Sequence, residues 1–225
     1  MPVSGAVRRR SVRLLELDTP HGPARVHTRF AENPVGALVL GHGAGGGVET
    51  PDLRATAGAA RTVGLSTALV EQPYRVAGWR SQPPARQLDA SWVAVIEQLR
   101  EGPLSQVPLV VGGRSAGARV ACRTAAQVGA VAVLCLAFPL HSPGRADDRS
   151  KSRLSELEAV HLPVLVVQGE SDPFGMPPPG RDRKIVRVPG NHALRSADPI
   201  DAAVSEWLGW LKPRLCASPI PTPDR

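Results

Sequence analysis

Residues 109–119 read Leu-Val-Val-Gly-Gly-Arg-Ser-Ala-Gly-Ala-Arg, an apolar run that breaks into a Gly-x-Ser-x-Gly sequence centred on Ser115. Where a strand turns sharply into a helix, such a sequence holds the serine in a strained conformation and lifts its hydroxyl above the sheet. Glycine at 113 and 117 leaves room for neighbouring backbone that a Cβ would meet. The β-like run 107–111 before this turn therefore predicts that Ser115 is a nucleophile rather than an ordinary turn serine.

Two strand ends downstream carry an acid and a histidine. The apolar run 164–168 leads into a turn-rich segment that contains Asp172, and the last β-like run ends shortly before His192. A nucleophile, an acid and a histidine in this order at successive strand ends form a hydrolytic triad. The order predicts Ser115 as nucleophile, Asp172 as acid and His192 as general base. Glu170 is the nearest alternative acid, since an aspartate before proline also suits an Asx turn.

A glycine-rich loop at 41–47 follows an earlier apolar strand. Acyl transfer builds negative charge on the carbonyl oxygen, and backbone N–H groups aimed at that oxygen stabilise it. We expect the N–H of Ala44 and that of Ala116, the residue after the nucleophile, to form this oxyanion hole. The competing interpretation is a phosphate-binding loop. It is disfavoured because the loop lacks the Gly-Lys-Ser/Thr ending and an acidic residue for a ribose.

Two ring-bearing side chains border this glycine-rich loop. His42 is expected to be structural and to tie the loop to the sheet by a side-chain hydrogen bond. Tyr74, the one tyrosine of the chain, follows the apolar strand predicted at 66–71. It is predicted as a substrate-binding residue near the mouth of the site, and a packing role is the equally weighted alternative.

The alternation of strands and helices predicts the architecture. An antiparallel amino-terminal hairpin is expected at 12–17 and 24–30. After it, the predicted strands are 37–41, 66–71, 107–112, 131–137, 164–168 and 184–188, and the predicted helices are 51–63, 86–101, 116–127 and 199–211, with a short helical stretch at 151–160. Such alternation indicates an α/β fold with a mostly parallel central sheet and helices on both faces.

Taken together, these motifs resemble those of α/β-hydrolases of the dienelactone-hydrolase-like kind. More narrowly, they resemble the group that includes the testis-expressed hydrolase-like proteins and subunit 3 of the NSL histone-acetylation complex. The resemblance spans about residues 35–211 and is carried by His42-Gly43-Ala44-Gly45, Gln72-Pro73-Tyr74, Gly112-Gly113-Arg114-Ser115 with Gly117 and Arg119, Ala137-Phe138-Pro139-Leu140-His141, and Gln168-Gly169 with Asp172-Pro173-Phe174-Gly175. The family usually has Lys-Ser-Met-Gly-Gly-Arg around the nucleophile, and Phe-Pro-Tyr where this chain has Gln72-Pro73-Tyr74.

The resemblance implies an α/β-hydrolase fold, and the motifs predict a serine hydrolase that cleaves small ester or thioester substrates through an acyl-enzyme intermediate. A catalytically idle fold used as an interaction subunit is the alternative, because one fold serves many functions. A haloperoxidase-like or lyase reaction on the same triad also stays open. The combination of triad and glycine loop favours an enzyme, since a protein without activity has no reason to keep both.

The segment between the strands predicted at 131–137 and 164–168 limits the size of any cap. Residues 141–163 hold one short helical stretch, which covers an edge of the sheet but does not enclose a long acyl chain. We therefore expect a minimal cap and a shallow, open site that accepts small acyl groups.

Length, charge and cysteine usage bound the remaining possibilities. The 225 residues suit one domain, predicted at 11–212 between a disordered amino terminus at 1–10 and a disordered proline-rich tail at 213–225. The formal charge of +7 is spread along the chain and aromatic residues for base stacking are few, so nucleic acid is not an expected partner. The histidines and cysteines lack metal-ligand spacing, so neither a metal nor another cofactor is predicted.

No apolar stretch approaches the length of a membrane span, and a membrane is not an expected partner. The basic residues 8–10 are not followed by the apolar core of a secretory signal, which favours a cytoplasmic location. The expected partner is a small-molecule ester substrate, and the sequence leaves the oligomeric state open.

Overall fold

The computed structural model describes residues 12–142, 144 and 149–217, so the predicted disordered amino terminus and residues 218–225 of the predicted tail lie outside the described residues. The strands in chain order are β1 (Arg13–Leu17), β2 (Ala24–Arg29), β3 (Gly36–Gly41), β4 (Leu65–Glu71), β5 (Leu109–Arg114), β6 (Ala132–Leu136), β7 (Val164–Gly169) and β8 (Arg183–Val188). The helices are α1 (Pro51–Thr62), α2 (Pro73–Val76), α3 (Ala85–Glu101), α4 (Ala116–Thr124), α5 (Leu154–Glu158) and α6 (Ala197–Ala217), with a 3₁₀ turn at Arg149–Lys151.

The strands form one eight-stranded sheet in the order β1-β2-β4-β3-β5-β6-β7-β8. The pairs β1–β2 and β2–β4 are antiparallel, and the other pairs are parallel. Because β3 pairs with both β4 and β5, the chain first moves to one side of β3 and then crosses to the other. Ligands of open α/β sheets bind at the carboxyl ends of the strands where this reversal occurs.

Both faces of the sheet are covered by helices. Neighbouring residues of a strand point to opposite faces, and accordingly Val39 lies in the core beneath α3 and α4, whereas Leu38 lies in the core beneath α1 and α6. Coverage on both sides explains why β3 and β7 are buried at every position and read as continuous apolar runs. The predicted mostly parallel sheet with an antiparallel amino-terminal hairpin is confirmed.

The last helix is longer than the sequence predicts. It continues through Pro213 to Ala217, so the first residues of the predicted disordered tail, 213–217, are helical. Proline inside a helix removes one backbone hydrogen bond. Leu211 and Leu215 lie four residues apart on the same helix face, and both are buried in the core. Burial of Leu215 explains why the helix continues past the proline.

The connection between β6 and β7 is small, as predicted. In its described part, the 3₁₀ turn and α5 are the helical elements, and α5 covers 154–158 rather than the predicted 151–160. Elsewhere, α2 is a short helix that the sequence analysis did not predict. Within the described ranges, no helix has the length and apolar character that crossing a membrane requires.

Candidate active site

The turn from β5 into α4 places Ser115 in an unusual backbone conformation. Its φ is 52° and its ψ is −109°, and a positive φ is costly for a residue with a Cβ. The N–H of Ser115 donates to the carbonyl oxygen of Leu136 at 2.9 Å, which fixes the turn against the end of β6. The predicted strand-to-helix turn is therefore present, with the serine at its tip.

Glycines surround Ser115 because backbone approaches backbone there. A Cβ on Gly113 would lie 2.5 Å from the carbonyl oxygen of Gly41, and a Cβ on Gly117 would lie 2.5 Å from the carbonyl carbon of the same residue. At both positions the backbone of the turn lies directly against the end of β3. The sharp turn thus brings Ser115 next to the glycine-rich loop that follows β3.

The three residues predicted as a triad lie together. The Oγ of Ser115 is 2.9 Å from Nε2 of His192, and Nδ1 of His192 is 2.9 Å from Oδ2 of Asp172. Asp172 follows β7 and His192 follows β8, so parallel strands deliver both to the same edge of the sheet. Glu170, the alternative acid, is exposed to solvent and is not the carboxylate that contacts the histidine.

Buried donors hold the carboxylate of Asp172, whose side chain is only 1% exposed. Gln168, which is fully buried, donates to Oδ2 of Asp172 at 2.8 Å, and the N–H of Phe174 donates to Oδ1 at 2.9 Å. The ring of Phe174 also packs against His192, with the centroids 4.1 Å apart. The acid and the imidazole are therefore oriented from several sides.

The glycine-rich loop is tied down through two of its carbonyl groups. The carbonyl oxygen of Gly43 is 2.8 Å from Nδ1 of His42, and that of Ala44 accepts a hydrogen bond from the hydroxyl of Tyr74 at 3.0 Å. The N–H of Gln72 donates to Nε2 of His42 at 3.0 Å, which places the imidazole proton on Nδ1. Burial lowers the pKa of His42 and keeps it neutral. His42 ties the loop to the end of β4, as expected.

The orientation of the predicted oxyanion donors follows from these contacts. A trans peptide points its C=O and N–H in opposite directions, so the N–H of Ala44 points away from the buried His42 that holds the Gly43 carbonyl. The N–H of Ala116 belongs to the first residue of α4 and has no partner within that helix. The Gly43 contact thus sets the direction of the Ala44 N–H relative to His42, and the Ala116 N–H lies at the turn next to Ser115.

Tyr74 requires a correction. The residue is 4% exposed, and burial raises the pKa of its phenol to about 12. Its hydroxyl is occupied by the carbonyl of Ala44 and its ring lies against His42, with the centroids 5.7 Å apart. The predicted substrate contact is therefore replaced by the packing alternative, because the side chain lies beneath the loop rather than at the mouth of the site.

Arg114 is a further residue of the site, and no role for it was predicted from the sequence. Its Nε lies 2.9 Å from Oδ2 of Asp52, a fully buried carboxylate at the start of α1, and its Nη2 donates to the carbonyl oxygen of His192 at 2.9 Å. The lack of a Cβ on Gly43 leaves space for Nη1. Arg114 therefore links α1, the histidine loop and the glycine-rich loop. Its charged side chain between Gly113 and Ser115 was the available signal, but its partners lie far away in the sequence.

Fold and site together define an α/β-hydrolase. Residues 34–194, which make up more than half of the chain, match the family model described as alpha/beta hydrolase domain, and the chain belongs to this family. Among curated proteins, none matches the sequence. In the described part of the chain, no group of three or more His, Cys, Asp or Glu side chains is arranged to hold a metal ion.

Several solved structures share the fold. One is XC6422 from Xanthomonas campestris, described as a serine hydrolase without a lid, at 23% identity and a TM-score of 0.68, covering 93% of this chain and 97% of that one. Est1E from Butyrivibrio proteoclasticus is 15% identical with a TM-score of 0.71, covering 89% and 98%. Dienelactone hydrolase from Anabaena variabilis is 18% identical with a TM-score of 0.66, covering 89% and 96%. At these identities the similarity concerns the fold.

Proposed function

We propose that this protein is a serine hydrolase that cleaves small ester or thioester substrates. The hydroxyl of Ser115 attacks the carbonyl carbon while His192 takes its proton, and the carboxylate of Asp172 stabilises the imidazolium that forms. The N–H groups of Ala44 and Ala116 hold the developing oxyanion. His192 returns the proton to the leaving alcohol or thiol, which leaves an acyl group on Ser115. Water activated by His192 then releases the acid and restores the serine.

The observation that carries this proposal is the continuous hydrogen-bonded chain from Ser115 through His192 to Asp172, with both distances at 2.9 Å. A nucleophile within hydrogen-bond reach of its base, and a base oriented by a third group, is the arrangement that serine activation requires. The strained φ of Ser115 adds support, because such strain occurs where a serine must be presented to a substrate.

A small cavity supports the assignment of small acyl groups. It borders Ala116 and Gly117, and its volume is about 10 Å³. Space of that size holds roughly one water molecule. The side chains of Trp92, Val120 and Tyr74 are among those that line it, so this cavity has no room for a long acyl chain.

Active-site substitutions test the proposed chemistry. Ser115→Ala and His192→Ala should each lower the turnover of p-nitrophenyl acetate by about 10³-fold or more, because each removes a group that the covalent step requires. Urea denaturation and circular dichroism should show that both variants fold. A fluorophosphonate probe should label the wild-type chain at Ser115, as mapped by peptide mass spectrometry, and labelling that persists in Ser115→Ala would overturn the proposal.

Acyl-chain selectivity tests the assignment of substrate size. Because the cavity beside Ala116 is small, we expect slow but measurable cleavage of p-nitrophenyl acetate, with kcat/KM falling sharply from acetate to octanoate. Initial rates for a series of p-nitrophenyl esters provide the measurement. A higher kcat/KM for octanoate than for acetate would contradict the small-acyl assignment and leave the triad assignment intact.

The proposal also covers the narrower family group, the cellular location and the partner. We place the chain in the narrower group of testis-expressed hydrolase-like proteins and the NSL subunit, in the cytoplasm, with a small-molecule ester rather than nucleic acid or membrane as its partner. The similarity of its fold to a serine hydrolase and to a dienelactone hydrolase supports an ester or lactone substrate. Failure of the folded wild-type chain to react with ester or probe would favour the alternative role as an interaction subunit.

A further inference from the structure

The hydroxyl of Tyr74 makes a buried contact with the glycine-rich loop beside the nucleophile. Tyr74 lies in α2, directly after β4, and donates to the carbonyl oxygen of Ala44 at 3.0 Å. The loop itself lies next to Ser115, since a Cβ placed on Gly43 would be 3.5 Å from the Cβ of Ser115. A single phenol therefore reaches the loop segment whose N–H group is proposed to bind the oxyanion.

The loop has little stiffness of its own. Residues 45–47 are all glycine, which adopts many backbone conformations, and a Cβ on Gly45 would meet no atom within 4 Å. Two hydrogen bonds to the Gly43 carbonyl, from His42 and from the N–H of Gly46 at 3.3 Å, hold one peptide of the loop. The next peptide, between Ala44 and Gly45, is held through its carbonyl by Tyr74.

Turning this second peptide would be costly while the phenol is present. If the Ala44 carbonyl rotated toward Ser115, the hydroxyl of Tyr74 would lose its acceptor in a buried position, and an unsatisfied buried hydroxyl is unfavourable. The carbonyl would also bring negative partial charge to the place where the oxyanion develops. Burial raises the pKa of Tyr74 to about 12, so the phenol stays protonated and remains a donor across the working pH range.

We infer that Tyr74 is a positioning residue for catalysis: its hydroxyl holds the Ala44 carbonyl, on the peptide that follows the N–H of Ala44, and thereby keeps Ala44 in the place where its N–H meets the oxyanion. This inference rests on the proposed serine hydrolase function. Tyr74 itself touches no reacting atom and acts only through the loop.

Tyr74→Phe removes the hydroxyl and keeps the ring, so it isolates the hydrogen bond. We expect kcat for p-nitrophenyl acetate to fall by about 10- to 100-fold, less than or close to the loss of a whole oxyanion donor. KM should change by less than about twofold, because the ground-state ester does not depend on the donor. The affinity for an alkylboronic acid, which forms a tetrahedral adduct with the serine, should fall by the same factor as kcat.

Thr28→Val is the matched control. Thr28 is fully buried in β2, and its hydroxyl donates to the carbonyl of Arg13 at 3.0 Å, so the substitution also deletes one side-chain to backbone hydrogen bond. It should lower the melting temperature by an amount similar to that of Tyr74→Phe and leave kcat unchanged. A kcat of Tyr74→Phe within about twofold of wild type, or an equal loss of kcat in Thr28→Val, would overturn the inference.

A spectroscopic measurement on the intact chain covers the case in which Tyr74→Phe does not fold. Because the chain has one tyrosine, incorporation of 3-fluorotyrosine gives a single ¹⁹F resonance that reports on Tyr74. Formation of the boronic acid adduct should shift this resonance, since Ala44 then binds the adduct through its N–H and the phenol through its carbonyl oxygen. An unshifted resonance would overturn the inference, whereas a wild-type chain that reacts with neither ester nor fluorophosphonate would overturn the proposed function first.

Discussion

The two halves of the candidate site are built in different ways. Around Ser115, backbone lies against backbone, and glycines at 113 and 117 allow the turn to contact the end of β3. Around Asp172 and His192, buried side chains supply hydrogen bonds that orient a carboxylate and an imidazole. The first half requires positions that carry no side chain, and the second requires particular hydrogen-bonding side chains. Substitutions in the first half should therefore damage fold and activity together, and those in the second should separate them.

The largest effect is expected from Gly117→Ala. Its methyl group would lie 2.5 Å from the carbonyl carbon of Gly41 and 2.8 Å from the carbonyl oxygen of His42. Backbone atoms at the end of a central strand cannot move aside as a side chain can, so we expect a loss of about 3 kcal/mol in the free energy of unfolding. The glycine-rich loop would shift from Ser115 at the same time. Urea denaturation and ester turnover measure the two losses.

Gly209→Ala provides the control for the same chemical change. Gly209 lies in α6, is exposed, and a Cβ there would meet no atom within 4 Å. Alanine in an exposed helix is more stable than glycine by about 0.5–1 kcal/mol. We therefore expect Gly209→Ala to be slightly more stable than wild type and fully active. Wild-type stability in Gly117→Ala would show that the turn tolerates a side chain and would remove the contrast between the two halves.

The second-largest effect, from Asp172→Asn, should fall on activity without a comparable loss of stability. Asp172→Asn is nearly isosteric, but its amide favours the wrong tautomer of His192, and kcat should fall by about 10⁴-fold. The same amide group faces the buried donor of Gln168, so we expect a loss of about 1 kcal/mol in the free energy of unfolding, which is small beside the loss of kcat. Glu170→Gln should retain wild-type kcat. If Glu170→Gln lost activity instead, the acid would have been assigned to the wrong carboxylate.

The same contrast explains what the sequence predicted. The turn around Ser115 is specified locally, by an apolar run and by two glycines four residues apart, so it is readable without a structure. The proximity of Ser115, Asp172 and His192 could be predicted from their order, because the carboxyl ends of parallel strands lie at one edge of the sheet. The fold class and the limits of most strands followed from the same periodic pattern.

Contacts between distant segments were not predictable in this way. The ion pair of Arg114 with Asp52 and the hydrogen bond from Tyr74 to Ala44 join residues whose proximity depends on how β3, β4 and β5 are ordered. A lone tyrosine after a strand reads equally well as a surface contact or as packing, and only its burial decides between them. The helix beyond Pro213 was missed because proline is a local signal, whereas the burial of Leu215 is a tertiary one.

The smallest expected effect concerns His42, which joins the glycine-rich loop to the end of β4 and supports the first half of the site through a side chain. Burial lowers the pKa of His42 below its ordinary value of 6.5. Below pH 6.5 the unfolded chain therefore binds a proton at this residue that the folded chain does not yet bind. Stability is present above pH 6.5 and is lost as the pH falls toward the folded pKa, with a slope of at most about 1.4 kcal/mol per pH unit.

His42→Gln removes this titration and retains a side chain that can donate and accept hydrogen bonds. At pH 7.5 the variant should be less stable than wild type by about 1 kcal/mol, because its amide replaces the two imidazole hydrogen bonds imperfectly. Between pH 6.5 and 5 it should lose less stability than wild type, so the two curves of urea midpoint against pH should converge. His161→Gln makes the same change at an exposed residue and should keep the wild-type urea midpoint at pH 7.5. Parallel curves for His42→Gln and wild type would mean that the folded chain protonates His42 as readily as the unfolded chain does. In that case burial would not disfavour the charged imidazole, and the contact of Nδ1 with the Gly43 carbonyl would persist in both protonation states.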